Sequence, residues 1–208
     1  MTDFEKAAAT WDERPGRAET ANQIGASILR EVALNPAMDV LEFGCGTGLV
    51  TLRIQPHVHS ITGVDSSDAM LGVLHAKIAA TSLGNVHLQK MDVVHGDLLQ
   101  GRYDVVVSSM TIHHIPDILP LFGQFFRVLS PGGSLVIADL DSDDGEFHED
   151  NQGVHHQGFN RAEMRAMMQA AGFIEVRETL AAKVTRPAAG SGAMRTFTIF
   201  LMTAIKPA

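Results

Sequence analysis

Cysteine, tryptophan and tyrosine each occur once in the 208 residues. The single Cys45 excludes an internal disulfide, so the fold rests on its core and not on cross-links. Basic residues are scarce as well: 16 Lys and Arg stand against 24 Asp and Glu, for a formal net charge of -8. That balance argues against a broad basic face for nucleic acid or for an anionic membrane. No apolar run approaches the ~20 residues that span a bilayer; the longest, Thr196 to Ile205, fits a long strand. No basic start followed by an apolar run opens the chain, and the expected compartment is the cytoplasm. Core material is plentiful, with 45% hydrophobic residues, enough for one domain of this size.

Apolar residues from Ala18 to Leu34 recur at spacings of three and four, predicting an amphipathic helix stopped by Asn35-Pro36. Val40 to Phe43 reads as a short buried strand, followed by glycines and a helix from Leu49 to Ile54 that ends near Pro56. Ser60 to Asp65 is a second strand. Ser66 or Ser67 then caps a helix with an apolar face of Met70, Leu71, Leu74 and Ile78, closing at Gly84. Val86 to Lys90 and Tyr103 to Ser108 are further strands, the latter with the Val run of a parallel strand covered on both faces. A helix from about Asp117 to Leu129 precedes a Ser130-Pro-Gly-Gly133 turn and a fifth strand, Ser134 to Asp139; Asn160 and Glu163 mark a capping box. Ile174 to Val184 and Arg195 to Ile205 have no helix between them, so they should pair antiparallel. The expected fold class is α/β: a Rossmann-like, doubly wound, seven-stranded sheet, mostly parallel with one antiparallel strand near the C-terminus.

One domain is expected over 1–208. It divides into an N-terminal cap and helix (1–35), a cofactor-binding core (36–139), an acceptor-side lid (140–158) and a C-terminal helix with the strand pair (159–208).

In such sheets ligands bind beyond the carboxyl ends of the strands, where the first loop presents backbone N–H groups. Gly44-Cys45-Gly46-Thr47-Gly48-Leu49 occupies that place but carries Leu49 where the dinucleotide fingerprint needs its third glycine. Glu42 can face an ammonium group. Asp65 ends the second strand, where a carboxylate accepts from both ribose hydroxyls; Asp92, after Met91, ends the third, where it can accept from an adenine amine. Together these residues outline an adenosine with an amino-acid tail.

Val40-Leu-Glu-Phe-Gly-Cys-Gly-Thr-Gly48, Gly63-Val-Asp65, Met91-Asp92 and Leu129-Ser-Pro-Gly-Gly-Ser-Leu135 resemble the motifs of class I S-adenosylmethionine-dependent methyltransferases, in the UbiE-like (type 11) small-molecule group. The resemblance implies S-adenosyl-L-methionine as cofactor, with its methionine part on the glycine loop. It implies cofactor contacts at Glu42, Gly44, Cys45, Gly46, Gly48, Asp65, Ser66, Met70, Asp92, Val93 and Ser108.

Methyl transfer needs no nucleophilic residue, but a general base helps when the acceptor is a hydroxyl, thiol or protonated amine. His113 and His114, after the fourth strand, are the first candidates, with His155 and His156 in the linker as alternatives. Trp11, Arg14, His113 and His156 are the expected acceptor contacts, and Arg14 or Arg17 can meet an acidic group. The linker from Asp139 to Asp150 carries seven acids, but the spacing of His148, His155 and His156 matches no compact metal motif, and no metal is expected. The expected partner is a small-molecule methyl acceptor, with neither nucleic acid nor membrane; oligomeric state stays open, a homodimer included. The alternative is a non-catalytic sensor of S-adenosylmethionine or S-adenosylhomocysteine. A nicotinamide-dependent oxidoreductase is disfavoured by Leu49.

Overall fold

The computed structural model describes residues 4–208, so the first three residues of the expected cap lie outside them. Strands β1 (Asp39–Phe43), β2 (Ser60–Asp65), β3 (Val86–Lys90), β4 (Tyr103–Ser109) and β5 (Leu129–Leu140) pair in parallel, in the order β3-β2-β1-β4-β5. β7 (Met194–Ile205) joins β5 antiparallel, and β6 (Ile174–Pro187) closes the sheet antiparallel to β7. The seven-stranded sheet with one antiparallel strand is therefore as expected. Residues 188–193 hold no helix that could carry the chain across the sheet, so β6 turns straight back into β7.

Successive residues of the central strands feed opposite faces. Val40, Val105, Val107 and Val136 pack with Ile24 and Ile28 of α2 (Pro15–Glu31) and Ile54 of α3 (Thr51–Ile54). Leu41, Phe43, Val106 and Ile137 pack with Phe122 and Phe125 of α5 (Ile118–Val128) and with Met164 and Met168 of α6 (Arg161–Ala170). Each such side chain contributes roughly 1.5–3 kcal/mol by leaving water. With both faces covered, the strands need the unbroken apolar runs that the sequence carries.

Several boundaries move for local reasons. α2 starts at Pro15, earlier than Ala18, because proline in a first turn loses no hydrogen bond. α3 ends at Ile54 as expected, though it starts at Thr51 and not at Leu49, and Pro56 sits in the 3-10 turn Gln55–His57 that follows. α4 (Asp68–Thr81) ends on Ser82 in a left-handed conformation, φ 52°, two residues before Gly84. The stretch Ser130 to Gly133 is part of β5, because Gly132 N–H and the Gly133 carbonyl pair with the backbone of Lys206. Phe4 and Trp11 lie on two short pieces, α1 (Phe4–Ala7) and a 3-10 turn Ala8–Glu13.

The strand order reverses between β1 and β4, so the carboxyl ends of β1, β2, β4 and β5 crowd one edge of the sheet around the switch point. The Ser67 hydroxyl accepts from Met70 N–H at that edge and starts α4 there. Replacing Ser67 by alanine should cost about 1 kcal/mol, read in chemical denaturation as a lower midpoint with an unchanged slope. An unchanged midpoint would mean that this cap contributes nothing.

Candidate functional site

The glycine loop is shaped by what each position has to pass. Gly44 and Cys45 N–H both donate to the Val64 carbonyl, at 2.8 and 3.1 Å, folding the loop onto the end of β2. A Cβ on Gly44, at φ +74°, would stand 2.2 Å from Thr111, and one on Gly48 would stand 2.2 Å from Leu74. At Gly46, φ +53°, nothing lies within 4 Å of that position, so the loop is open there.

Asp65 holds the loop to the next helix. Its carboxylate accepts from Gly46 N–H at 2.8 Å and from Ser67 N–H at 2.9 Å. Burial pushes its pKa up, and the backbone donors of Ser67, Gly46 and Ser66 only partly offset that. Behind the loop Glu42 is buried, accepting a hydrogen bond from the Thr51 hydroxyl. Burial, with the Asp65 charge adding and Thr51 opposing, raises its pKa to about 8. Among the described residues no cation pairs with this buried carboxyl, and with the open backbone at Gly46 it could receive an ammonium-bearing ligand. The N-terminal segment covers this region. Asp12 accepts from the Thr47 hydroxyl at 2.6 Å and pairs with Lys77 at 2.5 Å, while Glu5 accepts from Ala69 N–H at 3.2 Å.

The other expected cofactor contacts divide. Cys45 contributes backbone only: its side chain is packed with Leu71 and Leu74, and burial pushes its thiol pKa up. The Ser108 hydroxyl is spent on the Phe43 carbonyl, at 3.0 Å. Met70 is buried, whereas Ser66 is exposed. Asp92 turns its carboxylate into its own 3-10 turn, accepting from Val94 and His95 N–H and pairing with the His95 ring at 2.7 Å. Burial would raise its pKa, but the His95 hydrogen bonds outweigh that and lower it. Val93 borders a shallow cleft with Ile115 and Leu121.

Beyond β4 the chain makes an unusual turn. Met110 adopts φ 51° and donates its N–H to the Ala138 carbonyl, a conformation that costs energy for a side-chain-bearing residue. Thr111 then meets the Gly44 carbonyl, and the 3-10 turn Ile112–His114 follows. His113 is buried, and its Nδ1 lies 2.7 Å from Asp139 Oδ1 at the end of β5. Burial would raise the Asp139 pKa, but the charge and hydrogen bond of His113 hold it below its ordinary value. His113 Nε2 is buried without a partner among the described residues.

Of the other candidate bases, His114 joins this group and His155 and His156 do not. His114 stacks 4.1 Å from His113 and binds the Gly153 carbonyl through Nδ1. The His155 and His156 backbone N–H groups donate to the His113 carbonyl, which clamps the turn. The His155 side chain is exposed, while His156 Nε2 lies 2.9 Å from the Ile115 carbonyl and its ring rests on Phe159. His148 joins the group instead, 5.0 Å from His113, its own Nε2 buried and unpartnered. Burial and the neighbouring His113 charge lower the pKa of both His114 and His148 to about 4, so both rings are neutral at pH 7. Trp11 reaches the group through Phe4, which lies 5.8 Å from Trp11 and 5.2 Å from His114. Arg14 is exposed. Among the described residues, no group of three or more His, Cys, Asp or Glu is placed to hold a metal ion. The sequence placed Asp139 and His148 in the acidic, histidine-bearing linker, but without periodicity there it gave no sign that they meet His113.

Comparison with known proteins adds the following. A family model described as a methyltransferase domain matches residues 17–178. An uncharacterized methyltransferase of Schizosaccharomyces pombe is 32% identical, over 59% of this chain and 48% of that protein. The demethylmenaquinone methyltransferase of Staphylococcus aureus is also 32% identical, over 52% of this chain and 46% of that protein. The chain thus spans about half the length of these curated relatives. In structure, it resembles a chain of the Haloferax volcanii complex between the Trm112 methyltransferase activator and a methyltransferase. The TM-score is 0.79 with 19% identity, covering 99% of this chain and 98% of that one, a likeness of fold.

The buried carboxyl of Glu42 makes a prediction of its own. As pH rises from 4.5 towards 8, the unfolded chain ionises this group while the native state keeps the proton. Native stability should therefore fall, by at most about 1.4 kcal/mol per pH unit. Glu42→Gln should remove that contribution, so denaturation series at successive pH values should diverge in favour of the variant between pH 5 and 8. Parallel curves would contradict the assignment.

Proposed function

The chain belongs to the methyltransferase-domain family, and on that premise we propose that it transfers a methyl group from S-adenosylmethionine to an O, N or S atom of a small molecule. Glu42 would meet the ammonium of the cofactor's amino-acid end, the Gly44–Gly48 backbone its chain, and Asp65 its ribose. The fit is supported by the open backbone at Gly46 and the cation-free buried carboxyl of Glu42. When bound, the cofactor supplies an electrophilic methyl group on a sulfonium.

The protein's own contribution is orientation and proton transfer. Holding an acceptor in line can supply ~7 to 11 kcal/mol. The observation that carries the catalytic reading is the buried His113 ring, with Nδ1 on Asp139 and Nε2 unpartnered. With Nδ1 donating to the Asp139 carboxylate, the uncharged form of the ring carries its lone pair on Nε2, where it can accept the acceptor's proton. Asp139 then stabilises the imidazolium that forms. His114 and His148 pack beside His113 and stay neutral, adding no charge to it.

Release of S-adenosylhomocysteine, followed over a panel of phenols, amines and thiols, tests the activity. For an acceptor found in this way, His113→Gln should lower kcat by roughly 100- to 10,000-fold. Its cofactor dissociation constant should hardly change. A variant with undiminished kcat would remove His113 as the base, and release from no acceptor class would favour a sensor over an enzyme.

A further inference from the structure

The linker between β5 and α6 is closed at its neck and held at its tip by two unlike sets of contacts. At the neck, Phe159 N–H donates to the Leu140 carbonyl at 2.9 Å, Ser142 N–H to that of Phe159 at 3.2 Å and Asp143 N–H to that of Gln157 at 3.1 Å. Residues 144–156 therefore leave and return at one place, as a compact surface loop does. On the side of the β6–β7 hairpin this loop is anchored without histidine. Arg195 pairs with Glu146, Arg186 pairs with Glu149 at 3.1 Å, and the Phe147 ring lies 5.3 Å from that of Phe197.

Against the turn after β4, by contrast, the contacts are made by histidines. The rings of His113, His114 and His148 form a triangle, with centroids 4.1, 5.0 and 5.8 Å apart. His114 Nδ1 lies 2.8 Å from the Gly153 carbonyl and His156 Nε2 lies 2.9 Å from that of Ile115. The His155 and His156 N–H groups both donate to the His113 carbonyl. Under this loop His113 Nε2 is buried, so an acceptor reaches it only when the loop moves.

The triangle suits uncharged rings. A proton on His148 would be poorly hydrated and repelled by His113, His114 and Arg186, with Asp139 opposing them. A proton on His114 would meet His113 and His155, again against Asp139, and Phe4, its contact from the N-terminal segment, brings no charge. Burial first and the neighbouring imidazoles second hold both groups at about 4, against an ordinary 6.5. A loop swung off the turn returns its rings to water, where they take up protons near pH 6.5. The stability of the closed loop is thus whole above pH 6.5 and declines as pH falls towards 4, by up to about tenfold in the closing equilibrium per pH unit for each histidine.

We propose that residues 144–156 form a lid over His113, hinged on the β6–β7 hairpin and clasped to the turn Ile112–His114 by the His114 and His148 rings, and that acid releases the clasp. His148, on the loop, thereby holds the lid at neutral pH and lets go below it. What the opening exposes rests on the reading of His113 as the base; the opening itself does not depend on methyl transfer.

Amide hydrogen exchange of the full chain, followed by mass spectrometry and corrected for intrinsic rates at each pH, reads the lid directly. Between pH 7.5 and 5.0, protection of residues 144–156 should fall by about tenfold or more, while β4 and β5 keep theirs. His148→Phe, which keeps a ring at the contact but takes no proton, should shrink that response, and adding His114→Gln should flatten it. His148→Lys, charged throughout, should bring lid protection at pH 7.5 down towards the level of the unaltered chain at pH 5.0. That variant decides the matter should the double variant fail to fold, which lost protection of β5 at pH 7.5 would reveal. Lid protection that ignores pH, an undiminished pH response in the folded double variant, full lid protection in His148→Lys, or loss of β5 protection together with the lid would each overturn the proposal. An undiminished kcat in His113→Gln, with the exchange response intact, would instead count against His113 as the base and leave the lid standing.

Discussion

One carboxylate sets the geometry of this molecule's working edge. Asp65, at the end of β2, accepts from Gly46 N–H in one loop and Ser67 N–H at the head of α4. It thereby fixes the glycine loop against the sheet and starts the helix that the N-terminal segment docks on through Glu5 and through Asp12 with Lys77. Such double acceptance is strong because the acceptor is charged and largely removed from water. Without it, the loop would have no tie to β2 except the two bonds to the Val64 carbonyl.

From that tie the site divides into two electrostatic halves. Around the glycine loop stand two buried or half-buried acids, Glu42 and Asp65, both with raised pKa values and neither in an ion pair among the described residues. Across the sheet, beyond β4 and β5, the buried imidazole of His113 is matched by Asp139, with His114 and His148 beside it. The strained turn at Met110 joins them, since Thr111 touches Gly44 and His113, two residues on, touches Asp139.

Much of the fold could be read from the chain because its cues are local. Val-rich runs, the Ser67 cap, the glycines after β1 and the missing helix between β6 and β7 all act within a few residues. The Gly84 helix end failed because Ser82 takes the left-handed conformation first. The Asp65 and glycine-loop positions could be located at the expected strand ends for the same local reason, and Asp92, also at its expected strand end, turns its carboxylate into its own cap. The His113–Asp139 pair spans 26 residues and two strands, and only the parallel β4–β5 register brings its ends together. His148, in a linker without periodicity, could not be told from His155 and His156, and Arg186 lay in a stretch that gave no helical or motif signal.

Whether Asp65 and the glycine loop form a sulfonium-nucleoside seat is tested most directly by calorimetric titration of the full chain with S-adenosylhomocysteine, with NAD as control. The expected result is binding of S-adenosylhomocysteine and none of NAD, with Asp65→Ala, still folded, weaker by roughly 1.5 to 3 kcal/mol. Binding of NAD but not S-adenosylhomocysteine, or an unchanged dissociation constant in the folded variant, would contradict it.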